Sequence, residues 1–263
     1  MSKTLVSTPT WKSPFKNKDL LRKDIENFLK KYNSFLPQKL SKIAIFFEIT
    51  CYNYIIKFYR NSSYLVEPKN LDEKNGAFRY KLSPTGYPEN FSYFLVKKTY
   101  RYRKNPKEFL YEVRHNIPIQ SYHDPNIFVI PDIVICDGIF REKKDKRYYK
   151  GMRKLVFIPR DHVITFAEVK HYNPSPEMIF NFIGLVNELM PYLLKPIKKT
   201  YDKKLPEHLA PTLMISGKGN YHASLIRKSL QKRYIVNIIL GLFSWPSQVY
   251  GRQHVNKLLT IKK

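Results

Sequence analysis

Residues 163–170, Val163-Ile164-Thr165-Phe166-Ala167-Glu168-Val169-Lys170, form an apolar run that ends in a carboxylate and an ammonium two positions apart. In an extended strand alternate side chains share a face, so Glu168 and Lys170 project together while Val169 points the other way. Charged groups at the end of an apolar strand cost free energy unless they bind a ligand or each other. The run therefore predicts a strand that carries a functional site near its carboxyl end.

A second apolar strand is expected upstream, over residues 128–136. Its sequence is Phe128-Val129-Ile130-Pro131-Asp132-Ile133-Val134-Ile135-Cys136, which places one acid, Asp132, in the middle. Two strands that each carry an acid at a position where the pattern requires an apolar residue suggest a single metal site.

The chain is strongly basic, with 47 Lys and Arg against 21 Asp and Glu and a formal net charge of +26. Such an excess repels itself and favours a polyanionic partner, nucleic acid first and an anionic membrane surface second. A generally Lys-rich proteome is the alternative explanation. Hydrophobic residues make up 43% of the 263 residues, which is enough for one large core or two small ones.

Cysteine usage and the apolar segments indicate the compartment. Cys51 and Cys136 both lie in apolar runs, and we expect two buried free thiols, with no disulfide framework or zinc site. The first residues lack the apolar segment of a signal peptide, and the longest apolar stretch, residues 43–59, is interrupted by charged and polar residues. We therefore expect a soluble, cytoplasmic protein that does not use a membrane.

Apolar spacing and turn residues predict the remaining elements. In the N-terminal part we expect a helix over 19–32, a buried helix over about 40–60, favoured over a strand by its length, and short strands at 64–66, 78–82 and 93–96. Further on we expect a strand at 109–114, a helix from 175 or 176 to about 194, a strand at 212–216, a helix over 222–232 and a buried strand at 235–240.

The second half thus has the order strand, strand with Asp132, strand with Glu168-Val169-Lys170, helix, strand, helix, strand. This order, with Pro131-Asp132 and Glu168-Val169-Lys170, resembles the core of the PD-(D/E)xK nuclease superfamily, the fold of many restriction enzymes, Holliday-junction resolvases and phage exonucleases. The resemblance covers about residues 106–243 and identifies no subfamily. The segment 133–167 between the two motif halves is longer than usual, and we assign the excess to a basic insertion.

The resemblance implies an α/β (α+β) fold with a restriction-endonuclease-like core, a central mixed β-sheet flanked by helices, and a helical and β N-terminal extension. Residues 1–105 are expected to form an N-terminal arm, helices and a small β region that packs on the core or contacts nucleic acid. Residues 106–263 are expected to form the nuclease core, with the basic insertion at 138–162.

The resemblance also implies that Asp132, Glu168 and Lys170 are catalytic. Asp132, Glu168 and the backbone carbonyl of Val169 would hold one or two Mg²⁺ ions, for which Mn²⁺ can substitute. The metal activates water, and Lys170 orients or helps to deprotonate it, so that a phosphodiester is hydrolysed to a 5′-phosphate and a 3′-hydroxyl. Many members add an acid from a helix before the sheet; Glu48 is the first candidate, and a half-exposed helix residue paired with a lysine is the alternative for it.

Two basic segments are candidates for holding a phosphate backbone. The first interleaves cations with aromatic residues, which suits phosphate contact and base stacking but also suits an edge strand protected by charge. The second is the insertion, which either grips a phosphate backbone or is a disordered tip. The expected nucleic-acid-binding residues are Lys97, Lys98, Arg101, Arg103, Lys104, Lys143, Lys144, Lys146, Arg147, Lys150, Arg153 and Lys154.

The favoured function is a metal-dependent DNA endonuclease of a restriction, defence or mobile-element system, a homodimer that acts on double-stranded DNA. No nucleotide cofactor is expected, because Gly217-Lys218-Gly219 lacks the rest of a P-loop. A structure-selective or RNA-directed nuclease of the same fold stays open. The alternative from another class is a non-catalytic basic nucleic-acid-binding protein, in which Asp132 is a helix-capping or salt-bridged core acid and Glu168 forms an ion pair with Lys170.

Overall fold

The computed structural model describes residues 43–84, 86–102, 105–138, 143–145, 155–195, 205–242 and 258–263, together with four isolated helical positions between 23 and 30. The helix expected over 19–32 lies outside the described residues except at those four positions. The described chain is mixed α/β, with a central, mostly antiparallel sheet flanked by helices.

The described helices are α1 (Ile43–Asn61), α2 (Pro176–Leu189) and α3 (Tyr221–Arg233). The strands, in chain order, are β1 (Leu65–Lys69), β2 (Tyr93–Tyr102), β3 (Asn105–His115), β4 (Ile119–Gln120), β5 (Phe128–Val129), β6 (Ile133–Asp137), β7 (Lys143–Asp145), β8 (Leu155–Phe157), β9 (Val163–Lys170), β10 (Glu207–Leu209), β11 (Thr212–Ile215), β12 (Asn237–Ile239) and β13 (Thr260–Lys262). Short 3₁₀ turns span Pro88–Asn90, Arg160–His162 and Pro191–Leu194.

The central sheet has the strand order β1-β2-β3-β6-β9-β11-β12. Neighbours from β1 to β9 are antiparallel, whereas β11 is parallel to β9 and β12 is parallel to β11. Parallel neighbours need crossover connections, which contain α2 and α3. The carboxyl ends of β9 and β11 therefore meet the start of β6 at one edge of the sheet. Because β1 and β2 belong to this sheet, residues on both sides of position 105 share it.

Helices cover both faces of the sheet. The apolar side chains of α1 are buried along almost the whole helix, as expected, and pack with Ile133 and Met214 of one face. The other face, with Phe166 and Leu213, packs against α2 and α3. Ser175 caps α2 by accepting a hydrogen bond from the Met178 amide, so the helix begins as predicted, although it ends earlier, at Leu189.

The predicted strand over 78–82 is wrong. The segment is buried, but the amide of Arg79 donates to the Ser92 hydroxyl and its carbonyl accepts from the Ser92 amide, so loop contacts take the place of a ladder. Lys81 is buried there, and its ammonium donates to three carbonyls, those of Ser83, Pro84 and Asn116, at 2.7–2.8 Å.

The single strand expected over 128–136 is also wrong. Phe128 and Val129 pair with β4, and β6 of the central sheet begins only at Ile133. Pro131 separates the two because it has no N–H to donate to a ladder. Asp132 therefore stands immediately before a strand and not in the middle of one.

The short strands β4, β7, β8, β10 and β13 were not predicted from the sequence. β10 and β13 pair with each other, and His208 of β10 reaches α1, where its Nδ1 lies 2.9 Å from the Tyr59 hydroxyl. Burial lowers the pKa of His208 to about 3, so it is a neutral core residue.

The basic run after residue 96 continues β2 into a hairpin with β3. β1 pairs with β2 no further than Lys97, so in the described part the outer half of β2 has β3 as its neighbour on one side and no strand on the other. That arrangement matches an edge strand protected by charge. In the basic insertion, β7 and β8 form a second antiparallel hairpin.

Cys51 and Cys136 are buried free thiols, as expected. No helix among the described residues has both the length and the apolar character that a membrane span requires.

Alanine substitutions at two glycines should have opposite effects on stability. A Cβ at Gly217 would lie 2.6 Å from the Tyr172 carbonyl oxygen and 2.6 Å from the Asn173 Cα, whereas a Cβ at Gly184, inside α2, meets nothing within 4 Å. Gly217→Ala should therefore lower the free energy of unfolding by about 1–3 kcal/mol, because backbone atoms must shift. Gly184→Ala should raise it by up to about 1 kcal/mol through helix propensity.

Urea unfolding of both variants measures this difference. A Gly217→Ala variant as stable as the wild type would contradict the close approach of the segments that follow β9 and β11.

Candidate active site

The structure brings the three predicted catalytic residues together where β6 begins and β9 ends. Ile133 pairs with Ala167, which puts Asp132 level with Glu168 on the neighbouring strand. Lys170 Nζ lies 2.5 Å from Glu168 Oε1 and 3.9 Å from Asp132 Oδ2. One ammonium therefore serves two carboxylates.

Backbone contacts hold Asp132 in place. Its Oδ2 accepts a hydrogen bond of 2.6 Å from the Val169 amide, and its carbonyl accepts one of 3.0 Å from the Asn116 amide. The Val169 contact joins the loop before β6 to the end of β9, and it orients the Asp132 carboxylate. The donor is a strand amide and not the first turn of a helix, so of the two structural roles expected as alternatives the contact with Lys170 matches the salt-bridged acid.

Glu168 has one satisfied and one unsatisfied oxygen. Oε1 accepts from Lys170, whereas Oε2 is buried without a hydrogen-bond partner among the described atoms. The Glu168 side chain is only 16% exposed. A buried carboxylate oxygen without a donor is destabilising, and a cation or a water molecule at that position would relieve the cost.

The charges of the cluster shift two pKa values. Burial raises the pKa of Asp132 to about 7; the Glu168 charge adds to the rise, while Lys170 opposes it. Burial by itself would lower the pKa of Lys170, but the charges of Glu168 and Asp132 outweigh it and raise that pKa above its ordinary value. Lys170 therefore keeps its proton in this state and acts as the internal counterion of the two acids.

The carboxylates available to a metal are few. Within the part of the chain that the structure describes, no three His, Cys, Asp or Glu side chains form a group arranged to hold a metal. Asp132, Glu168 and the backbone carbonyl of Val169, the residue after Glu168, make up the predicted ligand set, with Glu48 as a further candidate. Mg²⁺ suits such a sparse set, because it binds through one or two carboxylates and retains several waters.

Glu48 lies close to this cluster on α1. Its Oε1 accepts from Asn116 Nδ2 at 2.8 Å and lies 3.4 Å from His115 Nδ1. Its charge also contributes to the raised pKa of Asp132. Since Asn116 bonds both Glu48 and the Asp132 backbone, it links the helix acid to the site, and the role of Glu48 as a further metal ligand stays a prediction.

Among the expected nucleic-acid-binding residues, Lys97 and Lys98 have described side chains, and both bind other parts of the protein. Lys97 pairs with Glu108 at 2.5 Å, and Lys98 donates to the Ser62 and Ser63 carbonyls at 2.6 and 3.2 Å, just past the end of α1. The side chains of the other expected nucleic-acid-binding residues lie outside the described part: Arg101, Arg103, Lys104, Lys143, Lys144, Lys146, Arg147, Lys150, Arg153 and Lys154.

A cavity that the sequence did not predict opens beside the cluster. It has a volume of about 480 Å³ and lies between the sheet and α2, lined by Glu168, Lys170, Tyr172, Ser175, Glu177, Met178, Asn181, Phe182, Leu185 and Leu213. The helical spacing of Met178, Phe182 and Leu185 predicts a core-facing stripe and carries no signal of an open space. Tyr172, an aromatic residue just after the charged end of β9, is the one signal available in the sequence.

The raised pKa of Asp132 predicts a pH-dependent stability in the absence of divalent cations. An unfolded aspartate titrates near pH 4, so the wild type loses stability as the pH rises from about 4 through about 7. The asparagine side chain of Asp132→Asn does not titrate. The stability of this variant relative to the wild type should therefore increase by about 1–3 kcal/mol as the pH rises from 5 to 8.

Thermal unfolding in EDTA at the two pH values checks this expectation. Asp161→Asn is the matched control, because the Asp161 side chain is 87% exposed and its removal should change stability little at either pH. A gain for Asp132→Asn that does not vary with pH would contradict the assigned environment.

No family model, curated protein or solved structure matches the chain. A functional assignment therefore rests on the residues and geometry of this chain alone.

Proposed function

We propose that the protein is a Mg²⁺-dependent nuclease that hydrolyses phosphodiester bonds, acting as an endonuclease on DNA. The observation that carries the proposal is the cluster of Asp132, Glu168 and Lys170 at one sheet edge, with one buried carboxylate oxygen unsatisfied. Two acids around one ammonium, beside an open cavity, are arranged to receive a further cation.

The strand order supports a restriction-endonuclease-like core. The elements run β3, β6, β9, α2, β11, α3 and β12, with three antiparallel strands followed by two parallel ones. This is the order of elements on which the resemblance to PD-(D/E)xK nucleases rests. Asp132, immediately before β6, also stands level with Glu168 of β9.

The chemistry of the donor set fits a divalent cation. Asp132 and Glu168 would hold Mg²⁺, or Mn²⁺ in its place, through carboxylate oxygens, with Val169 O and Glu48 as further candidates. Mg²⁺ bound there would lower the pKa of a bound water and neutralise charge on the phosphate. The unsatisfied Glu168 Oε2 supports this fit, because it is a buried anionic atom that lacks a partner among the described atoms.

The protein groups have distinct roles in this proposal. The Val169 amide fixes the Asp132 carboxylate, so that the acid needs no reorganisation when substrate arrives. Lys170 as an ammonium can donate to a phosphate oxygen. If Asp132 and Glu168 were neutralised by a bound metal, the negative charge that raises the pKa of Lys170 would be lost. Lys170 could then release its proton and, as a neutral amine, accept one from the attacking water.

The net charge supports a polyanionic substrate. At +26 the chain attracts nucleic acid at long range, and duplex DNA is the substrate that the resemblance favours. A homodimer, in which two sites cut the two strands, and a cytoplasmic location belong to the same proposal.

A second candidate function has its own support. Lys170 forms a 2.5 Å ion pair with Glu168, and Asp132 accepts a hydrogen bond from the Val169 amide. Both are ordinary structural contacts. In a basic protein that binds nucleic acid without cutting it, Asp132, Glu168 and Lys170 need no role beyond these contacts.

Cleavage assays separate the two functions. We expect the wild type to cut supercoiled plasmid or linear DNA with Mg²⁺ or Mn²⁺ and not with EDTA. Glu168→Ala, Asp132→Asn and Lys170→Met should each lose roughly 10²-fold or more of this activity, because each removes a charge that acts at the reacting phosphate.

Glu67→Gln is the matched control for these variants. Glu67 is an exposed acid of β1 that pairs with Lys69 at 2.7 Å, and its loss should leave cleavage unchanged. If the wild type and Glu168→Ala bind nucleic acid equally and neither cuts DNA or RNA, the non-catalytic function is correct. Nicking versus linearisation of the plasmid indicates how the subunits act.

Lys98 and Lys144 should differ in their effect on DNA binding. Lys98 donates to two carbonyls near the end of α1, so Lys98→Gln should lower stability by about 1 kcal/mol and leave the salt dependence of binding unchanged. Lys144→Gln, in the basic hairpin, should reduce the slope of log K against log salt by about 0.9, the value for one phosphate contact.

Binding isotherms at several salt concentrations, with thermal unfolding alongside, measure both effects. An unchanged slope in Lys144→Gln would remove that residue from the binding surface.

A further inference from the structure

We propose that the cavity beside Glu168 and Lys170 receives one unpaired nucleobase next to the phosphate that is cut. The preferred substrate is then a single-stranded or locally unpaired nucleic acid, and intact duplex, which the resemblance favours, is a poorer one. The proposal rests on the proposed function and names the substrate class of the same site.

The position of the cavity ties it to the chemistry. Glu168 and Lys170 form part of its lining and also belong to the catalytic cluster, so a group bound inside lies directly beside the reacting phosphate. Its volume of about 480 Å³ is within the range of pockets that hold small organic ligands. A nucleobase attached to the adjoining sugar is the part of a nucleic acid that can reach it.

The lining suits a flat heterocycle and not a phosphate. The half-buried Met178 and Leu185 supply apolar surface on which an aromatic ring can lie, with the buried Phe182 behind them. Glu168 and Glu177 make the space acidic, which disfavours a phosphate inside it but tolerates an uncharged base. A phosphate instead meets Lys170 at one end of the cavity.

Polar groups on α2 are placed to contact the edge of a base. Asn181 carries both a donor and an acceptor, and Glu177 when ionised only accepts. An exocyclic amino group, present on adenine, cytosine and guanine, can donate to Glu177, whereas thymine has none. We therefore expect thymine to be the poorest occupant.

Tyr172 provides a stacking surface for the base. It lines the cavity and is 60% exposed, although an aromatic ring of its size is usually buried. Exposed aromatic rings in basic proteins serve as platforms for unpaired bases. A base inside a duplex is already stacked and paired, and it would have to be flipped out at a cost of a few kcal/mol to reach this ring.

Fluorescence of 2-aminopurine tests the proposal. Single-stranded oligodeoxynucleotides carrying one 2-aminopurine at successive positions are titrated with the protein in Ca²⁺, and a blunt duplex of the same sequence is compared. We expect quenching at one position of the single strand. Tyr172→Ala should abolish that quenching and weaken single-strand binding about tenfold, with little change for the duplex.

Phe180→Ala is the matched control. Phe180 is 52% exposed on α2 but does not line the cavity, so its removal should leave the quenching and both affinities unchanged. Glu177→Gln should reduce the discrimination against thymine at the quenched position, because an amide can also donate.

The outcomes separate this proposal from the nuclease. If the wild type cuts DNA but Tyr172→Ala and Phe180→Ala behave alike on every substrate, the base-binding cavity is wrong and the nuclease stands. If quenching depends on Tyr172 while nothing is cut, the cavity binds a base and the nuclease is wrong. Equal cleavage rates on blunt duplex and single strand would also overturn the substrate preference.

Discussion

The hydrogen bond between the Asp132 carboxylate and the Val169 amide connects the loop before β6 to the end of β9. It sets Asp132 beside Glu168. Lys170 lies two residues after Glu168 on the same face of β9, and its ammonium contacts both acids. The three charges are mostly buried, so each depends on the others for compensation. Removing Lys170 would leave two buried carboxylates without their counterion, which costs far more than an exposed ion pair would contribute.

The composition of the cluster supports the proposed metal site over a purely structural role. The ion pair of Glu168 with Lys170 is complete by itself. The second acid, Asp132, adds a buried charge next to Glu168, and burial followed by that repulsion raises its pKa to about 7. A stability device would not need this acid or the unsatisfied Glu168 oxygen. In a site that binds a cation, the free-energy cost of buried, unsatisfied carboxylates is offset when the cation binds.

Local patterns predicted much of this arrangement, and non-local contacts account for what they missed. The alternation of residues 163–170 was enough to place Glu168 and Lys170 on one face, and the length of the apolar run was enough for α1. The split of 128–136 follows from Pro131, a signal that its apolar neighbours concealed. β10 and β13 are three residues each and lie about fifty positions apart, so their pairing has no local signature. The cavity depends on how α2 docks on the sheet, which periodicity does not describe.

Charge is distributed so that long-range attraction and local selection act in opposite directions. The chain carries +26 overall, but the lining of the cavity and the adjoining cluster contain Asp132, Glu168 and Glu177 against the single cation Lys170. At physiological salt the field of distant lysines is screened within about 8 Å, so a phosphate at the site meets mainly the acids. A nucleic acid, the proposed substrate, would therefore be attracted to the protein as a whole but repelled by the acids of the site. In the proposed nuclease, a divalent cation bound to the acids would reverse that local balance, so the metal would promote substrate binding as well as chemistry.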